Sequence, residues 1–112
     1  MHTENQRLLD ALNACLAACE HCATACLKEQ DVKMMVRCIQ LDRDCADLCA
    51  LAARFVARGS AHVKPLLTLC AEICKACGDE CAQHTHVRHC QECADACRRC
   101  EQACRESVSL EM

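Results

Sequence analysis

Sixteen of the 112 residues are cysteine, and most stand at helical intervals. Cys15, Cys19, Cys22 and Cys26 are spaced four, three and four apart. Cys70, Cys74, Cys77 and Cys81 repeat that spacing, as do Cys93, Cys97, Cys100 and Cys104, with Cys90 placed three residues earlier. A further segment reads Cys38, Asp42, Cys45, Cys49, so that an aspartate occupies one cysteine slot. At about 100° per residue, such steps keep four side chains on a helical stripe about 60° wide and roughly 16 Å long. Thiols in this pattern have four chemical uses to weigh: core filling, disulfides, iron–sulfur ligation, or binding of soft metal ions.

Core filling explains one or two buried cysteines, which behave as small hydrophobes. It explains poorly four segments that share nearly one register. Disulfides within a stripe are disfavoured by geometry, since side chains at i and i+4 run side by side rather than toward each other. Iron–sulfur clusters use compact loop motifs followed by proline. Here the C-x-x-C pairs are steps along a helix, and the lone Pro65 follows no cysteine. That leaves d¹⁰ metals, and charge separates two candidates. The ligand form is the thiolate, and buried charge must be neutralised. In tetrahedral four-sulfur sites, sixteen cysteines take four Zn²⁺, whose eight positive charges meet sixteen negative ones. Sixteen Cu(I) ions neutralise sixteen thiolates fully, and soft thiolates select Cu(I). An i, i+4 pair can clip one two-coordinate Cu(I), and sulfurs bridging helices can build clusters.

The elements that position these thiols follow from the rest of the chain. Gly59, Gly78 and Pro65 are its only glycines and proline, too few for strands with tight turns. The large apolar residues Leu, Ile, Val and Phe make up about 19% of the chain, a level typical of disorder. A net charge of only −3 argues against disorder. The 53% hydrophobic content rests largely on Ala and Cys, so the core is substantially sulfur. We expect one all-α domain over residues 1–112, an antiparallel up-down-up-down four-helix bundle with a cysteine-lined core. Its helices are expected at about 4–29, 32–58, 61–84 and 87–107. Thr3 with Gln6 forms a candidate capping box, Asp31 and Ser60 are candidate caps, and Arg58-Gly59 is a helix stop. Gly78, mid-helix, implies close packing.

Antiparallel connectivity sorts the ends. Cys26, Cys38, Cys81 and Cys90 share one end with Met34, Met35, His84, His86 and His89. Cys15, Cys49, Cys70 and Cys104 share the other. Beyond them Leu8, Leu9, Leu12, Phe55, Val56, Leu66, Leu67 and Val108 form a hydrocarbon plug.

Partners and compartment are narrowed by composition. With 13 basic and 16 acidic residues and one aromatic ring, the chain lacks the basic balance and stacking platforms of a nucleic-acid binder. No stretch approaches the roughly 20 apolar residues that span a bilayer, and the N-terminus carries no secretory pattern. We therefore expect a cytoplasmic protein, where abundant thiols point to metal rather than disulfides.

The repeated C-x3-C-x2-C-x3-C resembles the cytosolic copper storage proteins of bacteria. So do Asp31-Val-Lys-Met-Met, Cys38-Ile-Gln-Leu-Asp-Arg-Asp-Cys45-Ala-Asp-Leu-Cys49 and His84-Thr-His-Val-Arg-His89-Cys90. The resemblance runs from about Leu8 to Cys104. It implies a homotetramer of bundles, each storing many Cu(I) ions on core thiolates, on the order of one per cysteine, and admitting them at a histidine-bearing open end. All sixteen cysteines match ligand positions. His89 matches the admission region, and His84 and His86 stand near it. Family members can carry a few more cysteines, so the capacity here is expected to be lower.

Smaller expectations accompany this reading. Carboxylate suits Cu(I) poorly, so Asp42 is expected to bind no metal. It is expected to pair with an Arg or Lys, or to turn to solvent while Leu41 fills the core. Met34 and Met35 are expected as core filler, the alternative being thioether guides. His21 is expected on a flank or subunit contact, and His2 and His62 in solvent at the plugged end. Two other functions compete. One is a zinc or general metal–thiolate buffer of metallothionein type. The other is a thiol redox relay, which needs one exposed thiol of low pKa.

Overall fold

The computed structural model describes residues 3–110, and the side chains of residues 5–109. Four helices account for most of them: α1 (Thr3–Cys26), α2 (Val36–Ala57), α3 (Val63–Gln83) and α4 (Arg88–Leu110), with a 3₁₀ turn at Val32–Met35 before α2. α1 packs on α2 and α4, and α3 packs on the same two helices. Short connections make neighbours antiparallel, so the expected up-down-up-down bundle forms, 44 Å long and about 20 Å across. None of its helices is long and apolar enough to cross a membrane, among the described residues.

The helix ends differ from the sequence-based expectation where turns take over. α1 stops at Cys26, short of Glu29. The amides of Leu27, Lys28 and Glu29 fold back onto the carbonyls of Ala23, Ala25 and Cys26, which tightens the exit. Asp31 caps nothing with its side chain; its carbonyl accepts from Met34 N–H and starts the 3₁₀ turn instead. The Thr3 side chain, and with it the candidate capping box, lies outside the described residues, as does His2. Ser60 does not cap α3: its Oγ accepts from His62 N–H at 3.0 Å, and the helix starts at Val63, two residues later than expected. Pro65 therefore falls in the first turn, where its missing N–H has no helical partner to lose. α4 continues past the expected Ser107 to Leu110.

The expected stop after Arg58 is present. Gly59 has φ +66°, Ser60 N–H reaches the carbonyl of Phe55, and Gly59 N–H reaches that of Val56. This is the Schellman arrangement, which glycine reaches without Cβ strain. Gly78 serves packing. A Cβ there would stand 3.2 Å from the Cβ of Cys97, so α3 and α4 approach so closely that an alanine would push Cys97 back by a few tenths of an ångström.

The plugged end is partly as expected. Leu8, Leu9, Leu12, Val56 and Leu67 are buried. Phe55, Leu66 and Val108 are only half-buried. The Phe55 ring takes the Arg58 guanidinium over its face at 4.4 Å instead of closing the plug. His62 is exposed at this end, as expected.

Candidate metal centre

Helical phase carries every cysteine inward. All sixteen are buried free thiols, none more than 1% exposed. They form a column in which each helix contributes about one sulfur per turn, except that Asp42 takes one of the places on α2.

At the open end Cys26 lies 4.0 Å from Cys38 and from Cys90, and Cys38 lies 3.3 Å from Cys81. Cys22 joins this layer at 3.8 Å from Cys90. One step deeper, Cys93 lies 3.7 Å from Cys19, which is 3.8 Å from Cys97. Cys77, Cys19, Cys93 and Cys97 bring their sulfurs within 4.8 Å of one another. Next, Cys15, Cys45 and Cys74 follow at 3.7 Å spacings. Toward the plug Cys49 touches Cys70 at 3.8 Å and Cys100 at 3.9 Å, with Cys104 buried in the same core.

These separations bear on chemistry. Two sulfurs that share one ion at about 2.3 Å each lie about 3.8 Å apart at a tetrahedral angle, and about 4.6 Å when linear. The thiols are thus spaced for bridging by soft ions with sub-ångström movement. Among the described residues, no ion pair involves a side chain of this column. A column of thiolates would have no counter-charge, so the metal-free core is held as thiols that share hydrogen bonds. Burial pushes the Cys26 thiol well above the ordinary range. Hydrogen bonds with Cys38, Cys81 and Cys90 push Cys22 up as well.

Asp42 overturns its expectation. It pairs with no Arg or Lys and does not reach solvent. It is fully buried within the column, and Leu41 is only half-buried. Its Oδ1 accepts from the thiols of Cys77 at 3.1 Å, Cys93 at 3.4 Å and Cys81 at 3.6 Å, and Cys38 approaches Oδ2 at 3.8 Å. Helical phase decides this: residue 42 stands four after Cys38 and three before Cys45, so its Cβ enters the sulfur stripe. Burial pushes the carboxyl up to about 8. With Cys22, Cys38 and Cys81 it also makes a group of four donor atoms within 4.8 Å.

Of the three mouth histidines, the structure brings one to the sulfurs. His89 Nδ1 lies 3.4 Å from Cys22 Sγ and 3.7 Å from Cys90 Sγ. Cys22, Cys26, Cys90 and His89 bring their donor atoms within 4.8 Å of each other. His84 turns its Nε2 to Glu80 at 2.9 Å, and Glu80 also takes Arg37 at 3.4 Å. His86 is exposed. His84 and His86 line a cleft of about 280 Å³ with Met34 and Met35 at the same end. Met35 is buried filler, as expected, whereas Met34 is 67% exposed and fills no core. His21 is exposed on the flank, its ring edge-to-face with His89 at 6.4 Å between centroids.

Sequence reasoning missed Glu29, Glu80 and Gln91. The i, i+4 spacing of Glu80 and His84 was a usable signal. Glu29 meets His89 across 60 positions, at 3.2 Å, without one. The Gln91 side-chain amide donates to the carbonyls of His84 at 2.9 Å, Cys81 at 3.3 Å and Ala82 at 3.4 Å. It thereby ties the end of α3 to α4.

A family model for copper storage proteins matches residues 1–109. The chain belongs to the copper storage protein family. It is 45% identical over 105 residues to the uncharacterized cysteine-rich protein YhjQ of Bacillus subtilis (strain 168), covering 94% of this chain and 96% of that one. Among solved structures it is similar to the Cu(I)-bound copper storage protein BsCsp3. The TM-score is 0.89 and the identity 43%, over 95% of this chain and 99% of that one. It is similar also to a cytosolic copper storage protein from Streptomyces lividans carrying five coppers. There the TM-score is 0.91 and the identity 41%, over 95% of this chain and 92% of that one. Membership in this family agrees with the resemblance read from the cysteine repeats.

Proposed function

We propose that this chain is a cytosolic Cu(I) reservoir. The observation that carries the reading is the column of sixteen buried free thiols without counter-charge. Each Cu(I) that binds displaces one thiol proton, so the core stays neutral as it fills. Proton release on loading is the general consequence of ligands that must deprotonate. Cys15, Cys19, Cys22, Cys26, Cys38, Cys45, Cys49, Cys70, Cys74, Cys77, Cys81, Cys90, Cys93, Cys97, Cys100 and Cys104 are the proposed ligands. His89, with Cys22, Cys26 and Cys90, forms the proposed port, and His84 and His86 line its approach. The hydrocarbon plug favours traffic through that one end. Asp42 lies within this column, its Oδ1 accepting from three thiols, and as a hard ligand it is proposed to hold no copper itself.

Storage accounts for this architecture better than a redox relay. A relay needs one exposed thiol of low pKa, and here every thiol is buried. The reading therefore assigns no catalysis. The family resemblance supports a homotetramer of such bundles.

The test is an anaerobic titration of the fully reduced protein with Cu(I), counting copper per chain after desalting, beside a parallel Zn²⁺ titration. About one Cu(I) per cysteine, retained through the column while zinc is sparse, is the expected result. A plateau at four metals or fewer, or tighter zinc than copper, overturns storage in favour of a structural or zinc-buffering protein.

A further inference from the structure

Both half-buried imidazoles at the mouth are held the same way. His84 Nε2 meets Glu80 at 2.9 Å, and His89 Nε2 meets Glu29 at 3.2 Å. Only the second pair stands against sulfur. A carboxylate accepts hydrogen bonds and donates none, so Nε2 of His89 carries the hydrogen. In the neutral ring the lone pair then sits on Nδ1. That is the atom 3.4 Å from Cys22 Sγ and 3.7 Å from Cys90 Sγ.

Glu29 reaches this place because α1 ends early. The backbone turns over Leu27 and Lys28, and Glu29 N–H caps the carbonyl of Cys26 at 3.1 Å. The turn sets the Glu29 side chain beside the ring that completes the Cys22, Cys26, Cys90 donor group. Its carboxylate is 39% exposed and the His89 side chain 14% exposed, so the hydrogen bond is at the rim of the column.

We infer that Glu29 is a positioning residue for copper uptake: by accepting the Nε2 hydrogen it holds His89 in the tautomer and ring orientation that point the Nδ1 lone pair at the three-sulfur port. Without it, the ring is free to place its hydrogen on Nδ1, facing the incoming cation, or to flip and present carbon. The inference rests on the proposed role of His89 in admitting copper. Partners of ligating histidines that fix ring orientation are worth about 10–100-fold in metal affinity or activity.

The test uses the full reduced apo protein and Cu(I) supplied from a weak chromophoric chelator, followed anaerobically by stopped flow. Glu29→Ala is expected to slow uptake of the first ion about tenfold, with total copper unchanged. Glu29→Gln keeps an accepting oxygen and is expected to restore near wild-type uptake. Glu92→Ala removes an exposed carboxylate near the same end and is expected to change nothing. In the His89→Ala background, Glu29→Ala is expected to add no further slowing. In the apo protein, ¹⁵N shifts of the His89 ring are expected to report the Nε2–H tautomer in wild type and Glu29→Gln, and a mixture in Glu29→Ala. Equal slowing by Gln and Ala, or by Glu92→Ala, would mean that carboxylate charge acts and positioning does not. Wild-type uptake by Glu29→Ala while His89→Ala is slow overturns the role of Glu29 alone. Wild-type uptake by His89→Ala overturns the port itself, and the positioning role with it.

Discussion

Asp42 offers the sharpest energetic prediction. Its carboxyl ordinarily ionises at 3.8 and is pushed up to about 8 in the folded core by burial. A group whose folded pKa is raised contributes stability below its unfolded pKa, and that contribution is lost as pH rises toward the folded one. Below pH 3.8 both states hold the proton. Between pH 3.8 and 8 the unfolded chain releases it and the folded chain does not. Each pH unit in that window costs about 1.4 kcal/mol. At pH 7 the apo fold therefore carries a penalty of about 4 kcal/mol from this one side chain. Asp42→Asn keeps the shape and the oxygen that receives the Cys77, Cys81 and Cys93 thiols, and does not titrate. Its new amide faces Cys38, a weak acceptor, at a cost of about 1 kcal/mol. The variant should be about 1 kcal/mol less stable than wild type at pH 3 and about 3 kcal/mol more stable at pH 7. Urea unfolding of both reduced apo proteins under argon measures this. At typical urea slopes the gain at pH 7 moves the midpoint by about 2 M. Asp47→Asn, at an exposed position, is the control. A stability difference between Asp42→Asn and wild type that stays constant from pH 4 to 8 refutes the buried, protonated carboxyl.

The other predictions concern the mouth and the helix contacts. Replacing His84, His86 and His89 together with Ala should slow Cu(I) uptake about tenfold while sixteen thiols keep the capacity near full. Unchanged rate and unchanged copper count in the stopped-flow and desalting assays would remove the histidines from uptake. Gly78→Ala should lower stability by about 1 kcal/mol net, because overpacking exceeds the gain in helix propensity. The opposing atom, Cys97 Cβ at 3.2 Å, is anchored to the α4 backbone and cannot rotate away. A raised melting temperature would refute the close helix approach. Gln91→Ala should cost about 1–2 kcal/mol and speed amide hydrogen exchange at His84 and Val87, and unchanged exchange there would show that Gln91 does not secure the α3 end.

Storage explains a departure from ordinary core design. Large apolar side chains are concentrated at one end, where Leu8, Leu12 and Leu67 seal the bundle. Elsewhere the buried interior is mainly cysteine and alanine, with Met35 and Asp42 among them. Such a core folds on neutral thiols and becomes a ligand array once protons leave. Asp42 fits the same scheme, since a protonated carboxyl is neutral too.

The local part of this design was legible in the residues themselves. Spacings of three and four are a property of one helix, so they place Cys15 to Cys26 on one stripe whatever surrounds it. Short connections then dictate which ends meet, which put Cys26, Cys38, Cys81 and Cys90 together before any coordinates. Helix ends were less legible, because the turn after Cys26 is settled by backbone hydrogen bonds and the turn at Ser60 by its Oγ accepting from His62 N–H, local choices that compete with capping. The placement of Asp42 was not legible from its charge, which favours solvent or an ion pair over a buried stripe. Phase prevails, since moving one side chain out of a packed stripe would require unwinding the helix. The meeting of Glu29 with His89 and of Gln91 with the α3 carbonyls had no sequence signature. Those contacts join separate elements across the mouth, and their geometry exists only once four helices have packed and two turns have closed.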